Sequence, residues 1–344
     1  MLFLAIPTHS KLANAQGMTT PTLTHTPTLN PFVLGEPYLM WDFGLEMRYP
    51  VSWSAPLHTL GQVIFAPDAT KIGTGQPNQP LVALGLIDPS NYGLIKDAPF
   101  DEIAFAASRG GDTPPTVVER DLTTFAGLDA GYVELEDEAN QLRGRAIAFM
   151  LPDGRYAVFT WLAPIDQYAT YLTVFSDIRL SATLIRPNRY TVPALGSTQT
   201  TFTAGQISFT LPQGWQATQL TESATRYADP DTLEYPDTSG FANGPQLVIL
   251  TNPLQDGLSV KDALAKLLEA SESEAAQIEL ITLNGKQAAS LIYNDVLFNQ
   301  HVRFVAVPCH DGSLLCTLRW TSPGALQGVL SPLLENLLAS VKIE

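Results

Sequence analysis

The chain has two cysteines, and both sit in "CHDGSLLC", where His310 and Asp311 follow Cys309 directly and Cys316 closes the stretch. Two sulfurs beside an imidazole and a carboxylate are the residue types of a metal site, a redox pair or a structural disulfide. A second concentration of ligand-type side chains is "YADPDTLEYPDTSG", which sets Asp229, Asp231, Glu234 and Asp237 in one proline-interrupted loop. Carboxylate oxygens at that density suit Ca²⁺. The loop departs from the EF-hand spacing, because it lacks the glycine at the sixth position and the closing glutamate; its plainer reading is an acidic solvated loop. "ELEDEANQ" supplies Glu134, Glu136, Asp137 and Glu138. Glu134 and Glu136 alternate with Val133 and Leu135, the pattern of a strand with one wet face running into an acidic turn.

Catalytic signatures are otherwise sparse. There is no G-x-S-x-G and no glycine-rich loop ending in Gly-Lys-Ser/Thr, and "GTGQPN" (73 to 78) fails the dinucleotide pattern at its last glycine. The five histidines, His9, His25, His58, His301 and His310, form no H-x-x-x-H or H-x-x-E pair. Paired carboxylates for glycoside hydrolysis would need a cleft with aromatic platforms, but Trp53, Trp161, Trp215 and Trp320 are spread along the chain at positions that prove to be related. No cofactor is expected.

The elements that must position these residues come from composition and repetition. At 344 residues the chain is long enough for two domains of about 150. A net charge of −15 argues against nucleic acid and against docking on anionic lipid. At the N-terminus, Leu2 to Ile6 is a short apolar run and Ala13-Asn14-Ala15 is an A-x-A cleavage pattern, so residues 1–15 read as a signal peptide whose true start lies upstream. "MTTPTLTHTPTLNP" then makes 16–35 a Thr/Pro-rich linker of the kind found in secreted stalks. No later apolar run reaches the roughly 20 residues of a membrane span.

The chain also repeats itself. Asp153-Gly154 matches Asp311-Gly312, Trp161 matches Trp320, and Pro164 matches Pro323. Gly127 matches Gly285, and Pro50-x-x-Trp53 matches Pro212-x-x-Trp215. This ordered series predicts two copies of one unit, 36–186 and 201–344, joined by a Pro/Thr/Ser-rich linker at 187–200. Each copy reads β-β-α-β-β-β-α. An alternating strand (Ile207, Phe209, Leu211; Leu45, Met47, Tyr49) precedes a continuous apolar one ("QPLVALGLI"; "GPQLVIL"). A helix follows, clearest after Ser259 as N-cap with Asp262 three residues on, and more weakly at "APFDEIAFAAS". Three strands come next, the last two joined at the Asp-Gly turn, and then a helix with Ser331-Pro332 as N-cap and N1. The order implies an α+β layered domain with a mostly antiparallel sheet flanked by helices.

A unit that opens with "FTLPQGW", passes through a middle helix and a DG hairpin, and ends in a helix of the "LLASVKI" type resembles the PsbP-like fold. That family includes the PsbP protein of the oxygen-evolving complex and the Mog-type Ran-binding proteins. The resemblance implies two tandem α/β/α sandwiches and a binding or stabilising role rather than catalysis. It places no ligand residue on this chain.

The repeat also bears on the cysteines. At a fixed offset Cys309 falls over Leu151 and Cys316 over Val158, both apolar positions facing a core, where a thiol behaves as a small hydrophobe. A zinc site would need further ligands on that face, and none is there. A disulfide and two buried thiols both remain open, and an exported compartment would permit the bond. The expected function is a non-enzymatic exported or cell-surface protein with protein partners at the cell envelope, tethered through upstream sequence. The alternative is an extracytoplasmic protein that binds Ca²⁺ or a small ligand through the 229–237 loop.

Overall fold

The computed structural model describes residues 32–344, apart from 60, 73–77, 96, 110–114, 231, 233–243, 256, 270–276, 296–297 and 344. The leader at 1–15 and most of the Thr/Pro stretch lie outside the described residues. The chain divides into two compact units. The first takes residues 46–58 and 62–184 with the segment ending at Leu39; the second takes 185–344 with 40–45 and 59–61.

Short strands β1 (Tyr38–Met40) and β2 (Leu45–Met47) come first, followed by β3 (Leu57–Thr59), β4 (Gln62–Phe65) and β5 (Leu81–Ile87). Helix α1 (Phe100–Ser108) precedes four long strands, β6 (Thr116–Phe125), β7 (Leu128–Asp137), β8 (Leu142–Met150) and β9 (Tyr156–Pro164). Helix α2 (Ile165–Ser181) and the two-residue β10 (Thr183–Leu184) close the series. A seven-stranded sheet runs β3-β4-β5-β9-β8-β7-β6, and a small one runs β1-β2-β10. The second series is β11 (Leu195–Phe202), β12 (Ile207–Pro212), β13 (Gln216–Thr221), β14 (Ala224–Ala228), β15 (Gln246–Pro253), α3 (Val260–Glu269), β16 (Glu279–Leu283), β17 (Lys286–Asp295), β18 (Gln300–Cys309), β19 (Leu314–Pro323), α4 (Gln327–Ala339) and β20 (Lys342–Ile343). Its sheets run β13-β14-β15-β19-β18-β17-β16 and β11-β12-β20. The two seven-stranded sheets therefore share one antiparallel strand order.

The protein is more β-rich than the α+β expectation. A strand pair precedes the apolar strand in each sheet, β3-β4 and β13-β14, and an edge strand precedes the last three, β6 and β16. The pattern reading missed these because β6 and β13 are exposed along nearly their whole length and carry no apolar alternation. Register between neighbouring long strands is set by tight turns. Ala126-Gly127 and Asn284-Gly285 both carry positive φ at both positions, the hairpin geometry whose twist matches that of the strands.

In the first unit the two sheet faces are distinct. Ile103, Ala104 and Ala107 of α1 pack on Val133, Ala146, Ala148 and Val158. The opposite face carries Trp161, stacked on Phe175 of α2 at 5.9 Å. In the second unit Val260, Ala263 and Leu264 of α3 pack on Ala289, Leu291, Ala306 and Leu315. Ser259 caps α3, its Oγ accepting from the Asp262 amide at 3.2 Å, as the spacing predicts. The cap expected at Ser331 is not one: α4 begins at Gln327, Pro332 lies inside it, and the Ser331 hydroxyl donates back to the Gln327 carbonyl. Pro332 is the sixth residue of α4, past the orphan amides of the first turn, so the helix forgoes one internal hydrogen bond there.

Cys309 and Cys316 are joined by a disulfide, and both residues are fully buried. Register pairs Cys309 with Leu314 and Val307 with Cys316, so the cysteines are diagonal neighbours on one face. One expectation is corrected here. In the first unit Phe149 pairs with Ala157, so Cys316 stands over Ala157 rather than Val158. Val158 and Tyr156 belong to the α1 face instead. The reason is one extra residue across the second hairpin: between the matched pairs Phe149–Ala157 and Val307–Cys316, the offset grows from 158 to 159. Gly205 closes on the bridge from the side: a Cβ there would meet Cys316 Sγ at 2.2 Å. Closing so short a loop stabilises the fold by about 2–3 kcal/mol in the chain-entropy account. Replacing both cysteines with alanine is expected to lower the free energy of unfolding in urea by that amount, and an unfolding free energy equal to the wild type's would show that the bond contributes nothing.

Candidate functional site

The most developed polar cluster among the described residues lies on the α2 face of the first unit. Register places Glu134 of β7 opposite Arg145 of β8, and Glu136 opposite Arg143. The alternation Glu-Leu-Glu on one strand thus meets Arg-Gly-Arg on the next. Arg143 donates to Glu134 Oε1 through Nε at 2.9 Å and Nη2 at 2.6 Å. Arg145 donates to Glu134 Oε2 through Nε at 3.1 Å and Nη2 at 2.5 Å. One carboxylate therefore receives a two-point grip from each of two guanidiniums, the geometry that planar donors favour. Glu136 and Glu119 extend the network at 3.5 Å from Arg143 and 3.3 Å from Arg145.

Aromatic rings hold the guanidiniums in place. Arg143 lies over Tyr168 of α2 at 5.1 Å; Arg145 lies over Tyr132 at 4.4 Å and Trp161 at 5.6 Å. Gly144, between the two arginines, cannot be larger, because a Cβ there would meet the Trp161 carbonyl at 2.5 Å. Arg179 reaches over from α2 to the Thr123 hydroxyl and the Thr124 carbonyl at the sheet edge. Burial, reinforced by the Arg145 charge, holds its guanidinium below its ordinary value.

This corrects the sequence reading of Glu134. The carboxylate is not on a wet face: its side chain is only 7% exposed, against 55% for Glu119. Burial pushes Glu134 up, but the bonds from Arg145 and Arg143 outweigh that and leave it below the usual carboxylate range. Glu134 is thus charged at neutral pH and committed to two partners, which suits it to organising a surface and not to donating a proton. Its signal was available in the sequence: "RGR" at 143–145 faces "ELE" at 134–136 once the turn between them fixes the register.

The other predicted residues disperse. Of the acidic loop, Asp231, Glu234 and Asp237 lie outside the described residues. Asp229 is described, and its charge, after burial, helps raise the Tyr190 phenol to about 12. Among the described residues no group of three or more His, Cys, Asp or Glu side chains comes together as a metal site. His58 takes a 3.0 Å bond with Tyr38 and His301 one with Asn294 at the same distance, while His310 is exposed in its turn. The four repeat-related tryptophans are all buried, and so is Trp41, which packs against Tyr190. On the α1 side of the first unit a cavity of about 50 Å³ is lined by Leu135, Leu142, Ala146, Thr160 and Leu162. That is room for a few waters.

No family profile matches the chain, and no curated protein does. Among solved structures, the Ran-binding protein Mog1p of Saccharomyces cerevisiae is similar at 11% identity and a TM-score of 0.31, covering 44% of this chain and 96% of its own. The cyanobacterial PsbP of Synechocystis matches at 13% identity and 0.30, covering 45% and 95%. The immunity protein TplEi of Pseudomonas aeruginosa aligns over 85% of this chain and 97% of its own at 8% identity and 0.23. No helix among the described residues is long and apolar enough to cross a membrane.

The depressed Glu134 group makes acid sensitivity predictable. A carboxylate whose folded value lies below its unfolded one stabilises the fold above the ordinary range and loses that stabilisation as pH falls through the folded value. Glu134→Gln is expected to cost about 3 kcal/mol at neutral pH, because it leaves two guanidiniums without their shared partner. The gap from wild type should narrow as the pH falls below about 4. Chemical denaturation at neutral and acid pH checks this, and a gap of equal size at both would show that the charge plays no part.

Proposed function

We propose that this chain is a non-enzymatic, extracytoplasmic interaction protein, built from two tandem PsbP-like domains and engaging a protein partner at the cell envelope. The observation that carries the reading is the Glu134 network. Arg143 and Arg145 are 32% and 22% exposed while fixed by a buried carboxylate and three aromatic rings. Arginine and aromatic side chains held rigid at a surface are the residues on which protein interfaces concentrate their energy, because little freedom remains to be lost on docking. The shared strand order of the two seven-stranded sheets, with Trp161 and Trp320 at matching places, supports duplication. The disulfide supports an oxidising compartment, since such bonds persist mainly outside the cytosol.

The test uses the full chain as bait in an envelope extract of its own source. A stoichiometric partner should be retained by the wild type and lost by the double variant Glu119→Arg/Glu136→Arg, which reverses two partly exposed charges of the network. The variant sets like charges beside Arg143 and Arg145, so its melting temperature should fall slightly, and a wild-type circular-dichroism spectrum is the control that it remains folded. Failure to retain any partner, or equal retention by the variant, would remove this reading.

The second reading, a Ca²⁺-binding or small-ligand-binding extracytoplasmic protein, has Asp229 in its favour, a carboxylate close enough to Tyr190 for its charge to be felt there. A melting temperature that does not move with millimolar Ca²⁺ would eliminate the metal form of it.

A further inference from the structure

In the second unit, strand register lays out the α3 side of the sheet as a grid. One row across β14, β15, β19 and β18 holds Arg226, Val248, Arg319 and Phe304. The next holds Ala228, Gln246, Thr321 and Val302, ending at Tyr293 of β17. Gln300 lies one row further, beside Pro323, and Thr317 one row back, beside Leu250 and Ala306. Thr321 therefore has Gln246 directly opposite, Gln300 on the diagonal and Arg319 two residues along its own strand, all within reach of one another.

These side chains are deeply buried: Gln246 and Thr321 are 1% exposed, Thr317 2% and Gln300 6%. Each holds a buried polar atom with no hydrogen-bond partner, namely Gln246 Oε1, Gln300 Nε2, Thr317 Oγ1 and Thr321 Oγ1, and Arg319 Nε is in the same condition. Buried polar groups are nearly always bonded, and leaving one unbonded carries its full desolvation penalty. Thr317 stands three rows from Gln300, about 20 Å along the strands, but the other four, on Gln246, Gln300, Thr321 and Arg319, lie around one point of the sheet and call for a missing partner. The Arg319 guanidinium lies 5.8 Å over the Phe304 ring, and its charge reaches Tyr293.

The first unit shows that the fold does not require this polarity. With Trp161 matched to Trp320 and Pro164 to Pro323, Leu81 occupies the Gln246 position, Val158 that of Thr317 and Thr160 that of Arg319. Leu162 likewise stands for Thr321, and Leu142 for Gln300. Four of the five positions are aliphatic in one unit and polar in the other, on the same face of the same sheet order. Polar side chains introduced into a position that packs well as leucine or valine lower stability unless something bonds to them.

We propose that this patch binds a small oxyanion, a carboxylate or phosphoryl group, held by the Arg319 guanidinium and by the donors of Gln300 and Thr321, which flank one point of the grid. A cluster of donors around one positive charge selects a negatively charged acceptor, since bonds to an ionised oxygen are the strong ones. The orphaned Gln246 Oε1 adds an acceptor beside Thr321, which suits a hydroxyl carried by the same ligand. Arg319 is only partly buried, so its head marks the side from which a ligand enters.

The experiment melts the full chain in graded inorganic phosphate or acetate, with chloride added to hold the ionic strength constant. Near saturation the wild type should gain about 3 °C or more over the chloride control. A response to phosphate assigns a phosphoryl ligand, and a response to acetate a carboxylate. Arg319→Thr, which installs the residue of the first unit, should lose the response. The pair Gln246→Leu/Thr321→Leu should lose it too, while melting at or above the wild type without added anion. No response beyond chloride, a response kept by Arg319→Thr, or a leucine pair that melts well below the wild type would each overturn the proposal. The last outcome would mean that buried water completes the network.

Discussion

The antiparallel ladder is the constraint on which everything else in this protein depends. Successive residues of a strand point to opposite faces, and in each unit one face belongs to a short helix while the other belongs to the helix that follows β9 or β19. The parity of a position, once register is set, decides what surrounds it. Trp161 and Trp320 fall on the side of the closing helix, and Thr160 and Arg319 fall on the other. The disulfide, the carboxylate gripped by two arginines and the orphaned polar row are all consequences of parity acting on particular side chains.

The two units use this shared frame for opposite purposes. On the α2 face of the first, charge is buried but complete: Glu134 has its bonds from Arg143 and Arg145, and each guanidinium has a ring to lie on. In the second unit the residue matching Arg145 is Arg303, which turns to Ser290 and to Glu335 of α4, while Ile292 stands where Glu134 would be. The second unit places its unfulfilled polarity on the other face. Duplication followed by divergence at equivalent grid points would let one unit present a charged surface and the other a polar interior on the same scaffold.

Much of this was legible in the sequence. The Asp-Gly turn, the paired tryptophans and the Ser259 cap each follow a local rule, and local rules survive burial. The exposed strands β6 and β13 were not legible, because a strand wet on both faces lacks the alternation that betrays a half-buried one. Glu134 was misjudged for a related reason. Alternation shows that a face is polar but not what lies across from it, and only the pairing with "RGR" reveals a buried cluster. The proline at 332 misled because the helix began one turn earlier than its strongest start signal. The polar row of the second unit was invisible for a different cause: "GPQLVIL" and "LRWTSP" read as apolar strands with incidental Gln and Thr, and their adjacency exists only in the folded sheet.

The extra residue in the turn after Cys309 has a further meaning. Had it been inserted within β18 or β19, every side chain beyond it would have changed faces, putting Trp320 and Arg319 in each other's places. Placed at the hairpin tip, where His310, Asp311 and Gly312 all adopt positive φ, it leaves both faces as they were. Length in this architecture can therefore change at its turns without disturbing its chemistry. The 310–313 tip is the natural point at which to graft a foreign segment, with the covalent bridge just below it keeping the two strands from separating.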